Sequence, residues 1–315
     1  MSVRLTPLTD PGSSPSSHRL VWLASDADGN PVGSLFLRLF TKPGQDHLAE
    51  LELQVHPAER RRGTGSRLLG AAVDAARQDG RSTVIAQAGA GSDGAAFLAG
   101  RGFRDVLSLT YTRLTLADAD LPALARIVAQ HRPGYRLLSW DGTVPDELAD
   151  TFAAAHRAMD DMPMGETDYG SVVWDADRVR EAAAVVRKRG DLLYTVAAVD
   201  ESDGSIAGFT ELVVPGDGTG DAQHYGTGVL PEHRGRGLAR WMKAETIHRT
   251  RERHPALGGL LTDTADGNLP MRAVNDALGY TPTHRTIEYQ LDLDLDQDRE
   301  RGTAAAPDSD SDSDS

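Results

Sequence analysis

An internal repeat limits what this chain can fold into more than any other feature. Val55-His-Pro-Ala-Glu-Arg-Arg-Arg-Gly-Thr-Gly65 returns as Val229-Leu-Pro-Glu-His-Arg-Gly-Arg-Gly-Leu-Ala239, an offset of 174 residues. Upstream, Gly33 in Pro31–Phe36 answers Gly208 in Ile206–Phe209 at an offset of 175, and downstream Gly102-Phe103 answers Gly279-Tyr280 at 177. Three landmarks in one order and nearly one register make the chain two copies of one unit, separated by small changes in loop length.

Each copy reads as three strands, glycine loop, helix, strand, helix, strand. In the first, strands are predicted at Arg19–Ser25, Val32–Leu39 and Ala49–Val55. Beyond the loop, Leu68, Leu69, Ala72, Val73 and Ala76 fall at helical spacing, followed by strand Thr83–Gln87, helix Gly94–Gly100 and strand Arg104–Leu114. The second copy repeats this with Leu193–Val199, Ile206–Val213, His224–Val229, a helix from Leu238, Gly259–Thr264, a helix over Asn268–Leu278 and Thr286–Leu291. The fold class is α/β (α+β). The division expected is 1–116, a connector 117–134, 135–296 and an Asp/Ser tail at 297–315 read as disordered. Only the second copy has front helices. Pro145 starts one bearing Leu148, Phe152, Ala155 and Met159, and Asp175 caps another ending at Gly190. The acidic loop Asp160–Asp168 joins them.

Charge and cysteine content exclude several chemistries. The net charge is −14, and nine acids against two arginines from Asp292 onward place half of it in the tail. That balance argues against a general nucleic-acid binder, which needs a basic face, and no apolar run is long enough for a membrane span. The chain has no cysteine, so disulfides, a thiol nucleophile and cysteine-zinc sites are excluded. No metal is expected, and a cytoplasmic location is. Two fused copies that imitate a homodimer leave the chain a monomer or homodimer.

A strand ending in Val-x-Pro, an Arg/Gly-rich turn and a helix make a phosphate cradle. Glycines let backbone amides converge, and the helix N-terminus adds about half a positive charge. Arg60 and Arg62, or Arg234 and Arg236, can add charge-assisted contacts. Neither loop carries the Gly-Lys-Ser/Thr of an ATPase loop. Arg234-Gly-Arg-Gly-Leu-Ala239 and Arg60-Arg-Arg-Gly-Thr-Gly65 both fit the Arg/Gln-x-x-Gly-x-Gly/Ala motif of the GNAT superfamily of acyl-CoA-dependent N-acyltransferases. The chain resembles a tandem GNAT protein of the actinobacterial kind, with two GNAT-like domains.

That resemblance implies a mixed sheet in each domain, splayed between its fourth and fifth strands, with acetyl-CoA in the wedge. The pyrophosphate would rest on the loop Arg234, Gly235, Arg236, Gly237, Leu238 and Ala239. The pantetheine arm would pair with Thr227, Gly228 and Val229, with Asn268 and Asn275 as hydrogen-bonding partners. In the first copy Leu53, Val55, Arg60, Arg62, Gly63 and Gly65 would take these roles.

Transfer to a small-molecule amine needs a base, because an alkyl amine with pKa near ~10 is protonated at neutral pH. Candidates are Glu211 and His224 as base and Tyr225 as acid, all in the second copy. The tyrosine that many family members place four residues before the glycine of the Gly-aromatic pair is Asn275 here, and Leu98 in the first copy. Besides a small-amine N-acetyltransferase, two other readings are carried: an enzyme similar to mycothiol synthase, which acetylates the amine of a cysteinyl sugar conjugate, and a non-catalytic acyl-CoA-binding scaffold.

Overall fold

The computed structural model describes residues 3–9, 16–170 and 172–293; the tail at 297–315 lies outside them. The first repeat supplies β1 (Arg4–Leu8), β2 (Ser17–Ser25), β3 (Pro31–Phe40), β4 (Leu48–Val55), α1 (Thr64–Gln78), β5 (Thr83–Gly89), α2 (Asp93–Ala99) and β6 (Arg104–Thr115). Next come α3 (Leu121–Ala129), β7 (Tyr135–Asp141), α4 (Ala149–Ala155) and α5 (Ala176–Lys188). The second repeat continues with β8 (Leu192–Asp200), β9 (Ile206–Val214), β10 (Gly220–Val229), α6 (Leu238–Arg253), β11 (Leu257–Ala265), α7 (Leu269–Ala277) and β12 (Thr281–Asp292). The front helices form as patterned: a short 3₁₀ turn follows Pro145 into α4, and Asp175 caps α5 by accepting from the Arg178 amide. The sequence reading contains neither β1 nor β7. Both are edge strands, β1 pairing with β2 and β7 with β8, so one-sided support leaves a weak pattern.

The chain packs as two compact units. One comprises Met1–Leu107, Glu166–Val172 and Ile287–Ser315; the other comprises Ser108–Gly165 and Val173–Thr286. In the first unit the sheet runs β1-β2-β3-β4-β5 and is completed by β12. Leu35, Leu37 and Leu39 of β3 meet Leu68 and Ala72 of α1, with Tyr289 and Leu291 of β12 in the same core. In the second unit the order is β6-β11-β10-β9-β8-β7. Ala244 and Ile247 of α6 and Leu124 of α3 cover one face against Leu212 and Leu260. Phe152 of α4 and Val179 of α5 cover the other against Phe209.

The last strand of each repeat therefore completes the sheet of the other. β6, from the first repeat, pairs antiparallel with β11 of the second, Leu109 opposite Ala265 through Thr115 opposite Gly259. A division at 116 and 135 follows the repeat, whereas packing follows the exchanged strands. The connector also belongs to a core: the Trp241 indole donates to the Val128 carbonyl at 2.9 Å.

Both sheets splay. β10 and β11 pair in parallel only from Gly220–Leu257 to Gln223–Leu261, although both strands continue for several residues. β4 and β5 likewise pair only from Leu48–Thr83 to Leu51–Ala86.

Candidate active site

The two wedges are built from the same elements and differ in detail. In the second unit, the β9–β10 ladder breaks its register between His224 and Gly226, a β-bulge at Tyr225. The bulge falls just past Gln223, where β10 leaves β11, and Gly226 pairs with Glu211 across the ladder. The β3–β4 ladder of the first unit runs from Gly33–Val55 to Leu39–Ala49 without such a shift. A bulge leaves one residue outside the ladder and turns local backbone groups away from their strand partner. Sequence reading missed it, although the glycines in Tyr225-Gly-Thr-Gly228 are the kind of strand interruption that marks one.

The cradle at the end of β10 fits an anion. Gly235 and Gly237 take φ of +76° and +73°, and Gly237 starts α6 with no side-chain cap on the first-turn amides. A Cβ at Gly235 would meet nothing within 4 Å. Arg234 turns back along the strand instead: its Nε donates to the Val229 carbonyl at 2.9 Å, and its two terminal nitrogens each reach Asp161 at 2.6 Å. That pairing holds the Asp161 carboxyl below its ordinary range. Arg236 donates to the Tyr135 hydroxyl, and Arg132 lies 3.5 Å from the position of a Cβ at Gly237. Arg132 precedes β7 outside both repeats, which is why motif matching passes over it. Thr227 bonds the Thr210 hydroxyl at 2.7 Å, and Gly228 lets Ala158 pack so closely that a Cβ would sit 2.8 Å from it. Leu238 is buried beneath the cradle and Ala239 half-buried. Asn268 caps α7 by accepting from the Met271 amide. Asn275 is buried, donates to Thr264 at 3.1 Å, and has an Oδ1 with no partner among the described residues.

The candidate acid–base residues separate across the sheet. Phe209 and Val213 flank Glu211 on β9 and pack against α4 and α5, so Glu211 faces the front helices. Partly accessible but walled by those elements, its carboxyl is pushed up by desolvation to about 7. His224 faces α6 instead. It is buried between Thr210, 3.4 Å from Nδ1, and the Tyr280 hydroxyl, 2.8 Å from Nε2. Burial first and Lys243 second hold it well below the ordinary histidine value. Tyr225 is half-exposed on the bulge, with its hydroxyl 3.3 Å from Arg189. The acidic loop is already engaged: Asp161 by Arg234, and Asp168 by His47 at 3.3 Å and by the Gln290 side chain through its backbone amide.

In the first unit Phe97 of α2 packs over the first turn of α1. A Cβ at Gly65 would lie 3.4 Å from the Phe97 ring of α2 and 3.7 Å from Val55. Arg60 donates to the Val55 carbonyl at 3.3 Å and reaches Asp93 of α2 at 3.6 Å, while Arg101 binds Ser66. Arg62 pairs with Glu59 at 2.9 Å. Leu53 and Val55 pack on the core of that unit. Gly63 holds φ +87° at the start of α1, and Arg61, at the position of Gly235, is forced to φ +63°.

The acetyltransferase (GNAT) family model matches residues 6–103 and 156–280, most of both repeats. The chain belongs to the GNAT acetyltransferase family. By that membership it is an acyltransferase rather than a non-catalytic acyl-CoA-binding scaffold. It is 30% identical over 268 residues to the mycothiol acetyltransferase of Nocardia farcinica, covering 85% of this chain and 81% of that protein. The mycothiol acetyltransferase of Rhodococcus jostii is 28% identical over 79% of this chain and 76% of its own length. Among solved structures, a tandem GNAT protein from the clavulanic acid biosynthesis pathway superposes with a TM-score of 0.74 at 24% identity, covering 93% of this chain and 99% of that one. A GNAT protein of Sphaerobacter thermophilus gives 0.66 at 17% identity over 87% and 80%. GNAT acetyltransferases use acetyl-CoA, and the second wedge fits it: an uncapped helix start, a β10 edge without a strand partner and the orphaned Asn275 Oδ1. Among the described residues no cluster of His, Asp and Glu is placed to hold a metal, and no helix is long and apolar enough to cross a membrane.

Proposed function

We propose that this GNAT protein is an N-acetyltransferase that moves an acetyl group from acetyl-CoA to the primary amine of a small molecule, with the second copy active and the first structural. The observation that carries this reading is the juxtaposition of a β-bulge at Tyr225 with Glu211, whose carboxyl titrates near neutrality, at the point where β10 and β11 part. Acetyl-CoA supplies an acetyl thioester whose C–S bond breaks in the transfer. Glu211 takes a proton from the amine on the face walled by α4 and α5. The amides of Gly235 to Ala239, with Arg132 and Arg236 nearby, receive the pyrophosphate. Asn275 offers its free carbonyl oxygen to a pantetheine amide.

Three observations support the asymmetry between copies. Among the described residues the first copy has no bulge in its β3–β4 ladder, no front helices, and Arg61 where the second has Gly235. Calorimetric titration with acetyl-CoA tests it. One site per chain is expected, abolished by Gly237→Glu and preserved in Gly63→Glu, with thermal melts confirming that both variants fold. Two sites would refute the asymmetry, and no binding would refute the transferase assignment of this wedge.

A more specific acceptor, the amine of a cysteinyl sugar conjugate, is favoured by the two mycothiol acetyltransferases that align along most of the chain. Released CoA thiol, compared across that conjugate and simple amines, decides between them.

A further inference from the structure

Lys243 is buried, 1% exposed, in the middle of α6, and neither base nor cradle uses it. A buried ammonium is strongly disfavoured unless something nearby needs it. Its Nζ lies 4.9 Å from the centroid of the Tyr280 ring, and the Tyr280 hydroxyl continues to His224 at 2.8 Å. The charged and titratable groups around it come from three elements: His224 on β10, Asp263 on β11, and Tyr280 just ahead of β12.

The location follows from the ladder. The last β10–β11 pair is Gln223–Leu261, so His224 and Asp263 are among the first residues beyond the point where the strands separate. Lys243 interacts with both, which sets its ammonium beneath the apex of the wedge. From Val229, where the phosphate cradle begins, back to His224 is five residues of strand, about 16 Å at ~3.3 Å each. The reactive end of a pantetheine arm laid along β10 from the cradle therefore ends near this apex. Asn275, at the family's tyrosine position, carries no acidic proton, so the thiolate produced there has no hydroxyl donor from that residue.

We propose that Lys243 is the group that stabilises and protonates the departing CoA thiolate. The amine nitrogen bonds to the acetyl carbon, the C–S pair leaves on sulfur, the amine proton passes to Glu211, and the Lys243 ammonium delivers a proton to sulfur. Neutral Lys243 then regains a proton from water, as Glu211 loses one. Burial pushes Lys243 down to about 7, a more acidic ammonium than usual, with Asp263 opposing part of that shift. The ammonium and the thiolate attract each other, which lowers the thiol from its ordinary pKa near ~8.5 and raises the ammonium together, so the proton passes between two groups of nearly matched acidity.

This inference rests on the wedge being the acetyl-CoA site, and its test needs no acceptor. Because the protein has no cysteine, the only thiol in a mixture with CoA is that of CoA itself. The ultraviolet absorbance of the thiolate is followed against pH for CoA bound to wild type and to Lys243→Met, with acetyl-CoA complexes as blanks. In wild type the bound thiol should titrate at least about one pH unit below free CoA, a tenfold shift in its acidity. In Lys243→Met that shift should vanish, while calorimetry shows CoA still bound. Lys243→Arg, which keeps the charge, should retain part of it. An unshifted thiol in bound wild type, or an equal shift in Lys243→Met, would overturn the assignment. Failure of wild type to bind CoA would instead defeat the reading of the wedge.

Discussion

Glu211→Gln separates a catalytic base from a buried acid that merely sits in the sheet. Desolvation raises the Glu211 carboxyl from 4.5 to about 7, so the native state holds its proton more tightly than the unfolded chain does. The stability this confers is complete below pH 4.5 and is lost as pH rises through 7. A shift of that size amounts to at most about 3 kcal/mol by proton linkage. The glutamine variant, neutral throughout, should match wild type near pH 4 and exceed it progressively in denaturant unfolding up to pH 8. Activity should move the other way. With Glu211 needed ionised and Lys243 needed protonated, the rate should peak near pH 7, its acidic limb set by the carboxyl and its basic limb by the ammonium. Removing the carboxylate should lower kcat by about 10²- to 10³-fold with little change in the KM for acetyl-CoA. The assay is release of CoA thiol with a working acceptor, followed from pH 5.5 to 9. Undiminished kcat in Glu211→Gln would refute the role as base. A stability difference that stays constant with pH would refute the desolvated environment from which that role is argued.

Two further outcomes test the architecture. Arg61→Gly should stabilise the protein by about 0.5–1 kcal/mol, because Arg61 occupies the left-handed region that Gly235 takes in the other copy; an unchanged melting temperature would mean the loop relaxes without strain. Leu291→Ala, at the end of the second repeat, should cost about 2–5 kcal/mol in the unit built mainly from the first repeat. Single-site acetyl-CoA binding should survive that change, and loss of binding would contradict the unit boundaries.

The repeat, the glycine loops and the strand order were legible because each depends on local rules. Gly63 and Gly237 begin helices with positive φ, which few residues tolerate, and Leu68 and Ala72 lie on one face of a helix whatever surrounds it. The exchange of β6 and β12 was not legible, for a definite reason. Both strands alternate apolar and polar residues with the same period, so either satisfies the vacant position beside β5 or β11, and pattern alone cannot choose between equivalent partners. Lys243 was hidden in the same way. In sequence it is one polar residue after the apolar pair Trp241-Met242 on a helix rich in arginine, where a solvent-facing lysine is the ordinary expectation. Lys243 turns toward Tyr280 and His224 on the sheet side, whereas Arg240, Glu252 and Arg253 of the same helix stay exposed. Its place on the sheet-facing side turns an unremarkable lysine into a buried charge that must be accommodated. That charge lies where two strands part, at the place where the proposed reaction generates an anion.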